Sequence, residues 1–338
     1  MNLFIASLST IIHISGEEND WQLRELELNE GDIQSLTVDP YSGAIYAGTF
    51  DHGLHRSVDG GETFKRIGKD DLHSRVMALH VSPSKPGGKF GTLYAGTEPS
   101  ELYRSIDGGR TWTSLPALLD LPSKSTWSFP PRPYTHHVRD IATGYHDPEF
   151  LLAGIELGGV MRSTDKGVSF EDRKDQSQFD CHNVILHPID KERIYEAAGG
   201  GFAISKDQGR TWNTDNEGLG DFTYLVHVAA DPGDANIVVA AGAQGPRSAY
   251  TPERAETRLF RKVGSAPWKP VQDGLPKAEG STVFHLHTHK GEPGVFYAVN
   301  NKGVYRSRDQ GKSWHRLPVK WPSYLTDRRI TNVCIKEI

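Results

Sequence analysis

Short apolar stretches separated by polar, glycine-rich turns recur along the whole chain, and no stretch keeps the three-to-four-residue periodicity of a long amphipathic helix. Seven of these stretches share one pattern. They read Ile33-Gln-Ser-Leu-Thr-Val-Asp-Pro40, Val76-Met-Ala-Leu-His-Val-Ser-Pro83, Val138-Arg-Asp-Ile-Ala-Thr143, Cys181-His-Asn-Val-Ile-Leu-His-Pro188, Leu225-Val-His-Val-Ala-Ala-Asp-Pro232, Val283-Phe-His-Leu-His-Thr-His289 and Ile330-Thr-Asn-Val-Cys-Ile335. Length, β-branched content and, in four of them, the closing proline mark them as strands.

A second motif follows most of these strands. It reads Ser57-Val-Asp-Gly-Gly-Glu-Thr-Phe64, Ser105-Ile-Asp-Gly-Gly-Arg-Thr-Trp112, Ser163-Thr-Asp-Lys-Gly-Val-Ser-Phe170, Ser205-Lys-Asp-Gln-Gly-Arg-Thr-Trp212 and Ser307-Arg-Asp-Gln-Gly-Lys-Ser-Trp314. Successive serines lie 48, 58, 42 and 102 residues apart, and the long last gap holds a degenerate copy, Phe260 to Trp268. The chemistry suits a hairpin between the third and fourth strands of a sheet: the Asp bonds amides of its own turn, the Gly supplies a positive φ, and the aromatic packs between sheets.

Repetition at this spacing predicts an all-β fold, a seven-bladed β-propeller of four-stranded antiparallel blades. The pattern at 330–335 has no hairpin after it, and the N-terminal stretch has strands without an inner partner. The two therefore complete one blade, from residues 1–30 plus 329–338, with six further blades over about 31–328 in a single domain.

The repeats resemble those of the Asp-box, or BNR, propellers, a family that includes sialidases, sortilin-type receptors and a photosystem II assembly factor, and the resemblance spans essentially the whole chain. It implies the fold strongly and an activity weakly. Sialidases of that family use an arginine triad, an Arg-Ile-Pro motif near the N-terminus and a Tyr-Glu nucleophile, which this sequence does not match. The likeness is closer to BNR-repeat proteins of the glycosyl hydrolase-like kind without the sialidase site.

Composition and charge agree with the strand reading and narrow the partners. Of 338 residues, 35 are Gly and 20 Pro, and the net charge of −5 comes without a basic stripe, so neither nucleic acid nor a membrane surface is an expected partner. The two cysteines, Cys181 and Cys334, fall on inner strands of non-adjacent blades and are expected to be free thiols, in keeping with a cytoplasmic location.

Candidate chemistry collects at one end of the channel, the top, where the inner strands begin. Two long insertions map there: 113–136, with Trp127, Phe129 and Tyr134, and 242–258, with Arg247 and Tyr250. His182, His227 and His285, on consecutive blades, are candidate ligands of one divalent metal ion, with Zn²⁺, Fe²⁺, Mn²⁺ and Cu²⁺ equally suited. His182 aligns with Arg139, one place from the other two histidines, so their convergence requires a bulge. Glu156, Arg139, Asp140 and His137 are the candidate catalytic groups, and Arg247, Glu98, Tyr134 and Asn183 the candidate substrate contacts. Arg139 suits a substrate carboxylate or phosphate, as a guanidinium pairs bidentately with either.

These features point to a small-molecule-binding propeller, a hydrolase or lyase with a His/Glu pocket at the top of the channel, metal-dependent if the histidines converge. A non-catalytic scaffold or assembly factor with a protein partner across the same face is the alternative reading, and a glycosidase needing two carboxylates at a set separation is a third.

Overall fold

The computed structural model describes residues 1–17, 20–28, 30–84 and 87–336. Seven antiparallel sheets form the blades of a ring. Blade 2 runs Asp32–Val38, Ile45–Phe50, Leu54–Ser57 and Lys65–Ile67; blade 3 runs Val76–Val81, Leu93–Thr97, Leu102–Ser105 and Thr113–Ser114. Blade 4 has Val138–Thr143, Leu151–Ile155 and Gly159–Ser163, and a bridge from Arg162 to Glu171 stands in for its fourth strand. Blades 5, 6 and 7 begin with inner strands Cys181–Leu186, Tyr224–Asp231 and His285–His287.

Blade 1 has two origins. Asn2–Ser7, Thr10–Glu17 and Asp20–Glu27 supply three strands, and Asn332–Ile335 pairs with the first as the innermost, through Leu3 with Ile335, Phe4 with Cys334, Ile5 with Val333 and Ala6 with Asn332. The expected closure of the ring is therefore present. Residues 337 and 338, assigned to this blade from the sequence, lie outside the described residues.

The second strand of each blade is sandwiched between neighbouring blades and buried on both faces, so it is apolar without alternation. Leu93–Thr97, Leu151–Ile155, Ile194–Ala198 and Phe296–Asn300 are buried throughout. Four blades place a tyrosine at the same point of this strand, Tyr46, Tyr94, Tyr195 and Tyr297, each fully buried. Their hydroxyls find partners where the sheet ends, as in Tyr195 donating to Ala235 O at 2.6 Å.

All five Asp-boxes close the same way. Ser57 Oγ donates to Asp59 Oδ1 at 2.7 Å and accepts the Gly61 amide at 2.8 Å, while Thr63 donates through its amide to Oδ1 and through Oγ1 to Oδ2. Gly61 has φ +95°, the left-handed region that a side chain disfavours. These turns join third to fourth strands at the end of the ring opposite the mouth, so their aspartates serve the fold.

The insertion at 113–136 forms two short 3-10 turns, Pro116–Asp120 and Pro122–Thr126. Its Leu115, Leu118, Leu121 and Trp127 join the core between blades 3 and 4. The insertion at 242–258 carries the one α-helix among the described residues, Pro246–Tyr250. Among the described residues no helix is long and apolar enough to cross a membrane.

Candidate functional site at the channel mouth

Five inner strands carry a one-residue bulge at the same aligned place. The pairing skips Gln34, Met77, Arg139, His182 and Val226. The bulge frees the skipped residue from the pleat and re-aims its side chain. Arg139 and His182 thereby share an orientation near the top of the channel. His227 sits one place further down, at the position of Asp140 and Asn183.

This placement separates the three histidines. His227 and His285 pack together with ring centroids 4.5 Å apart, and burial lowers the pKa of both, that of His285 to about 3, so they stand as neutral rings in the channel wall. His285 Nε2 donates to Ile330 O at 3.0 Å. His182 turns elsewhere: its Nδ1 donates to Leu225 O at 2.6 Å, and its Nε2 lies 3.4 Å from Asp180 Oδ2. Among the described residues, the trio whose ligand atoms all lie within 4.8 Å of one another is Glu156, Asp180 and His182. The bulge required for a three-histidine site is present, but recurring at the same place in neighbouring strands it preserves their offset instead of cancelling it.

Asp180 is the residue that the sequence reading missed. It immediately precedes the inner strand of blade 5 and faces Gly199, at the turn into the third strand of that blade; a Cβ on Gly199 would fall 2.0 Å from Asp180 Oδ2. The run Gly199-Gly-Gly201 was the available signal, since consecutive glycines beside the channel mark a close approach.

Glu156 sits between an imidazole and a guanidinium. His137 Nε2 is 3.1 Å and Arg139 Nε 3.3 Å from its Oε2. Burial would raise the Glu156 pKa, but the hydrogen bond from His137 and the Arg139 charge outweigh it and hold the carboxyl well below the usual range. It is therefore an anion at neutral pH and a weak proton acceptor. Arg139 loses cationic stability to burial, yet Glu156 more than restores it and raises its pKa.

Arg329 enters the same mouth from the segment before the closing strand. Its guanidinium lies 3.8 Å from the Tyr250 ring centroid, and Tyr250 packs edge-on to Tyr224, which in turn packs against His182 at 4.7 Å. Burial lowers the Arg329 pKa, as does the charge of Arg139 nearby. Among the described residues no carboxylate comes within ion-pair distance of Arg329, whose residue surface reaches solvent while its guanidinium is crowded by Tyr250, Tyr224 and Arg139.

Other expected site residues have structural partners. Glu98 is fully buried, held by Arg75 at 3.1 Å and by both arms of Arg132, with His137 Nδ1 3.6 Å away. It anchors the insertion to blade 3 and is closed to a ligand, and His137 bridges it to Glu156 behind the mouth. Asp140 accepts the Asn183 side chain and the Val184 amide, both at 2.8 Å, and Asn183 Oδ1 accepts the Val228 amide at 3.0 Å. This relay stitches blades 4, 5 and 6 together. Tyr134 and Arg247 are exposed on the two insertions.

A cavity of about 260 Å³ occupies the lower half of the channel, lined among others by His80, Thr143, His287 and Cys334. Its roof includes Asp140 and Asn183, so the enclosed space of the channel lies below the mouth cluster, a distribution that strand patterning did not reveal.

Comparison with known proteins adds to the fold. A model of the BNR/Asp-box repeat matches residues 305–316. No curated protein matches the chain. Among solved structures, an ancestral GH74 enzyme aligns with TM-score 0.64 and 16% identity over 91% of this chain and 39% of that one, so this chain spans about two fifths of its length. YCF48 bound to D1 peptide aligns with TM-score 0.62 and 16% identity over 91% of this chain and 88% of that one. YCF48 from Cyanidioschyzon merolae aligns with TM-score 0.55 and 13% identity over 85% of each chain. At these identities the shared property is the propeller.

Proposed function

We propose that the protein binds an anionic small molecule at the top mouth of its channel and acts on it as a hydrolase or lyase. The carrying observation is Arg329: a residue at the surface of the mouth whose guanidinium lies near Arg139, with an aromatic face beneath it and no carboxylate in ion-pair contact among the described residues. A carboxylate or phosphate set between the two arginines would complete the charge pairing, as a planar guanidinium favours. Glu156, already ionised and held by its neighbours, orients Arg139 instead of taking a proton.

The test is thermal-shift and calorimetric titration with inorganic phosphate, a sugar phosphate, a dicarboxylate and a neutral oligosaccharide. Anion-selective stabilisation of the wild type, lost in Arg329→Gln, is expected; undiminished binding of the neutral oligosaccharide alone overturns the reading. Turnover is then sought with aryl esters that carry an anionic group. Product formed by the wild type and not by His182→Gln supports the enzyme, whereas binding without turnover removes the catalytic half.

A second reading, a scaffold that takes a peptide or protein across the same face, draws on the exposed Tyr134 and Arg247 on the two insertions and on the likeness in fold and length to YCF48 bound to D1 peptide. Substitution of Tyr134 and Arg247 together would weaken such a partner and leave anion binding unchanged.

A further inference from the structure

His182 is almost wholly enclosed, with 1% of its side chain exposed, and its Nε2 has no hydrogen-bond partner. A backbone carbonyl can only accept, so the 2.6 Å contact to Leu225 O places the ring hydrogen on Nδ1. In the neutral ring Nε2 is then a bare lone pair. It faces Asp180 Oδ2 at 3.4 Å, and the ligand atoms of Glu156, Asp180 and His182 all lie within 4.8 Å of one another. Arg139 already pairs with Glu156, so the contact left uncompensated is the one between the Nε2 lone pair and the Asp180 carboxylate, which repel each other unless a cation lies between them.

We infer that Glu156, Asp180 and His182 form a binding site for one divalent transition-metal ion. Metal-ligating histidines characteristically donate their second ring N–H to a carbonyl or carboxylate, and Leu225 O fills that role here. Ligand bonds of about 2.0–2.2 Å around one ion fit donor atoms spaced as these are. One imidazole and two carboxylates form a mixed N/O set suited to Zn²⁺, Mn²⁺ or Fe²⁺, whereas Ca²⁺ and Mg²⁺ favour oxygen alone. Two carboxylates balance the ion's charge.

Gly199 is part of the site as a positioning residue. Asp180 reaches its place only because Gly199 lacks a side chain, since an added Cβ would overlap Oδ2 at 2.0 Å. The coordination left open faces the mouth, where Arg139 and Arg329 would hold an anion against the metal. Only this last step rests on the anion reading above, and the metal site stands without it.

The experiment uses the full chain stripped with chelator and returned to buffer, titrated calorimetrically with ZnCl₂, MnCl₂, MgCl₂ and CaCl₂ alone, with Mn²⁺ paramagnetic resonance as a second readout. Stoichiometric Zn²⁺ or Mn²⁺ binding is expected, weakened about tenfold or more in Asp180→Asn and in Gly199→Ala, with Mg²⁺ and Ca²⁺ weak. Far-UV circular dichroism and the melting temperature verify that each variant is folded, and Gly199→Ala keeps every proposed ligand. Retention of wild-type affinity in both variants overturns the site, as does the absence of metal binding in the wild type. Phosphate binding abolished by Arg329→Gln in a protein that takes up no metal would refute the metal site and leave the anion reading intact; metal binding unchanged in Arg329→Gln without any anion response would do the reverse.

Discussion

The Arg329 guanidinium lies 3.8 Å from the centroid of the Tyr250 ring, which joins the segment before the closing strand to the insertion of blade 6. The ring fixes the direction of a charge that would otherwise move freely in the mouth. A cation over an aromatic face contributes about 0.5–1 kcal/mol at an exposed position. Tyr250→Phe should therefore keep anion affinity near wild type, while Tyr250→Ala should weaken it several-fold, as read by calorimetry with the best anion.

Glu98 should hold the first insertion in place. Its carboxylate is fully buried against Arg75 and Arg132, and Arg132 belongs to the insertion. Glu98→Gln should cost about 2 kcal/mol, below the roughly 3–5 of a fully enclosed pair because both arginines keep part of their surface in water. Trypsin should then cleave after Lys124 faster than in the wild type, measured by mass spectrometry of timed digests.

The pH dependence of stability should carry the mark of Glu196. Burial pushes its carboxyl up to about 8 against a hydrogen bond from the Gln178 amide, so the folded protein keeps it protonated at neutral pH. The unfolded chain releases that proton near pH 4.3. Stability from this group is thus full below about 4.3 and falls as pH rises to about 8. Glu196→Gln should flatten that slope, gaining on the wild type between pH 5 and pH 9 in urea titrations.

The Asp-boxes act in the opposite direction. Burial would raise Asp107 and Asp309, but the bonds from Thr111 and Ser105, and from Ser313 and Ser307, bring both down to about 2. A depressed carboxylate contributes stability above its unfolded value near 3.9 and loses it as pH falls toward 2. Asp107→Asn and Asp309→Asn should melt below wild type at pH 7, and the gap should close between about pH 4 and pH 2 by scanning calorimetry.

Repetition made the fold legible. The boxes are local, five near-identical turns whose hydrogen bonds stay within seven residues, and the unpaired pattern at 330–335 pointed to the closure with Asn2–Ser7. The site was legible in part. Glu156, Arg139 and His182 stood out as polar residues at strand tops, and they do meet. The three histidines were grouped on condition of a bulge, and the bulge recurs at the same aligned place, Arg139, His182 and Val226, so the offset between His182 and His227 remains. Asp180 escaped because its role depends on a glycine nineteen positions later, a pairing that only the folded blade brings together.

Ring closure also sets an order of events. Asn332–Ile335 is synthesised after every strand it joins, and Arg329, whose carbonyl accepts from Ser7 Oγ at 3.1 Å, arrives with it. While the ribosome is still making this segment, the mouth lacks one of its two arginines and blade 1 lacks its inner strand. If the mouth takes an anion as proposed, a chain that has not yet added this strand lacks half of the arginine pair, and occupancy of the site would report that the ring is assembled.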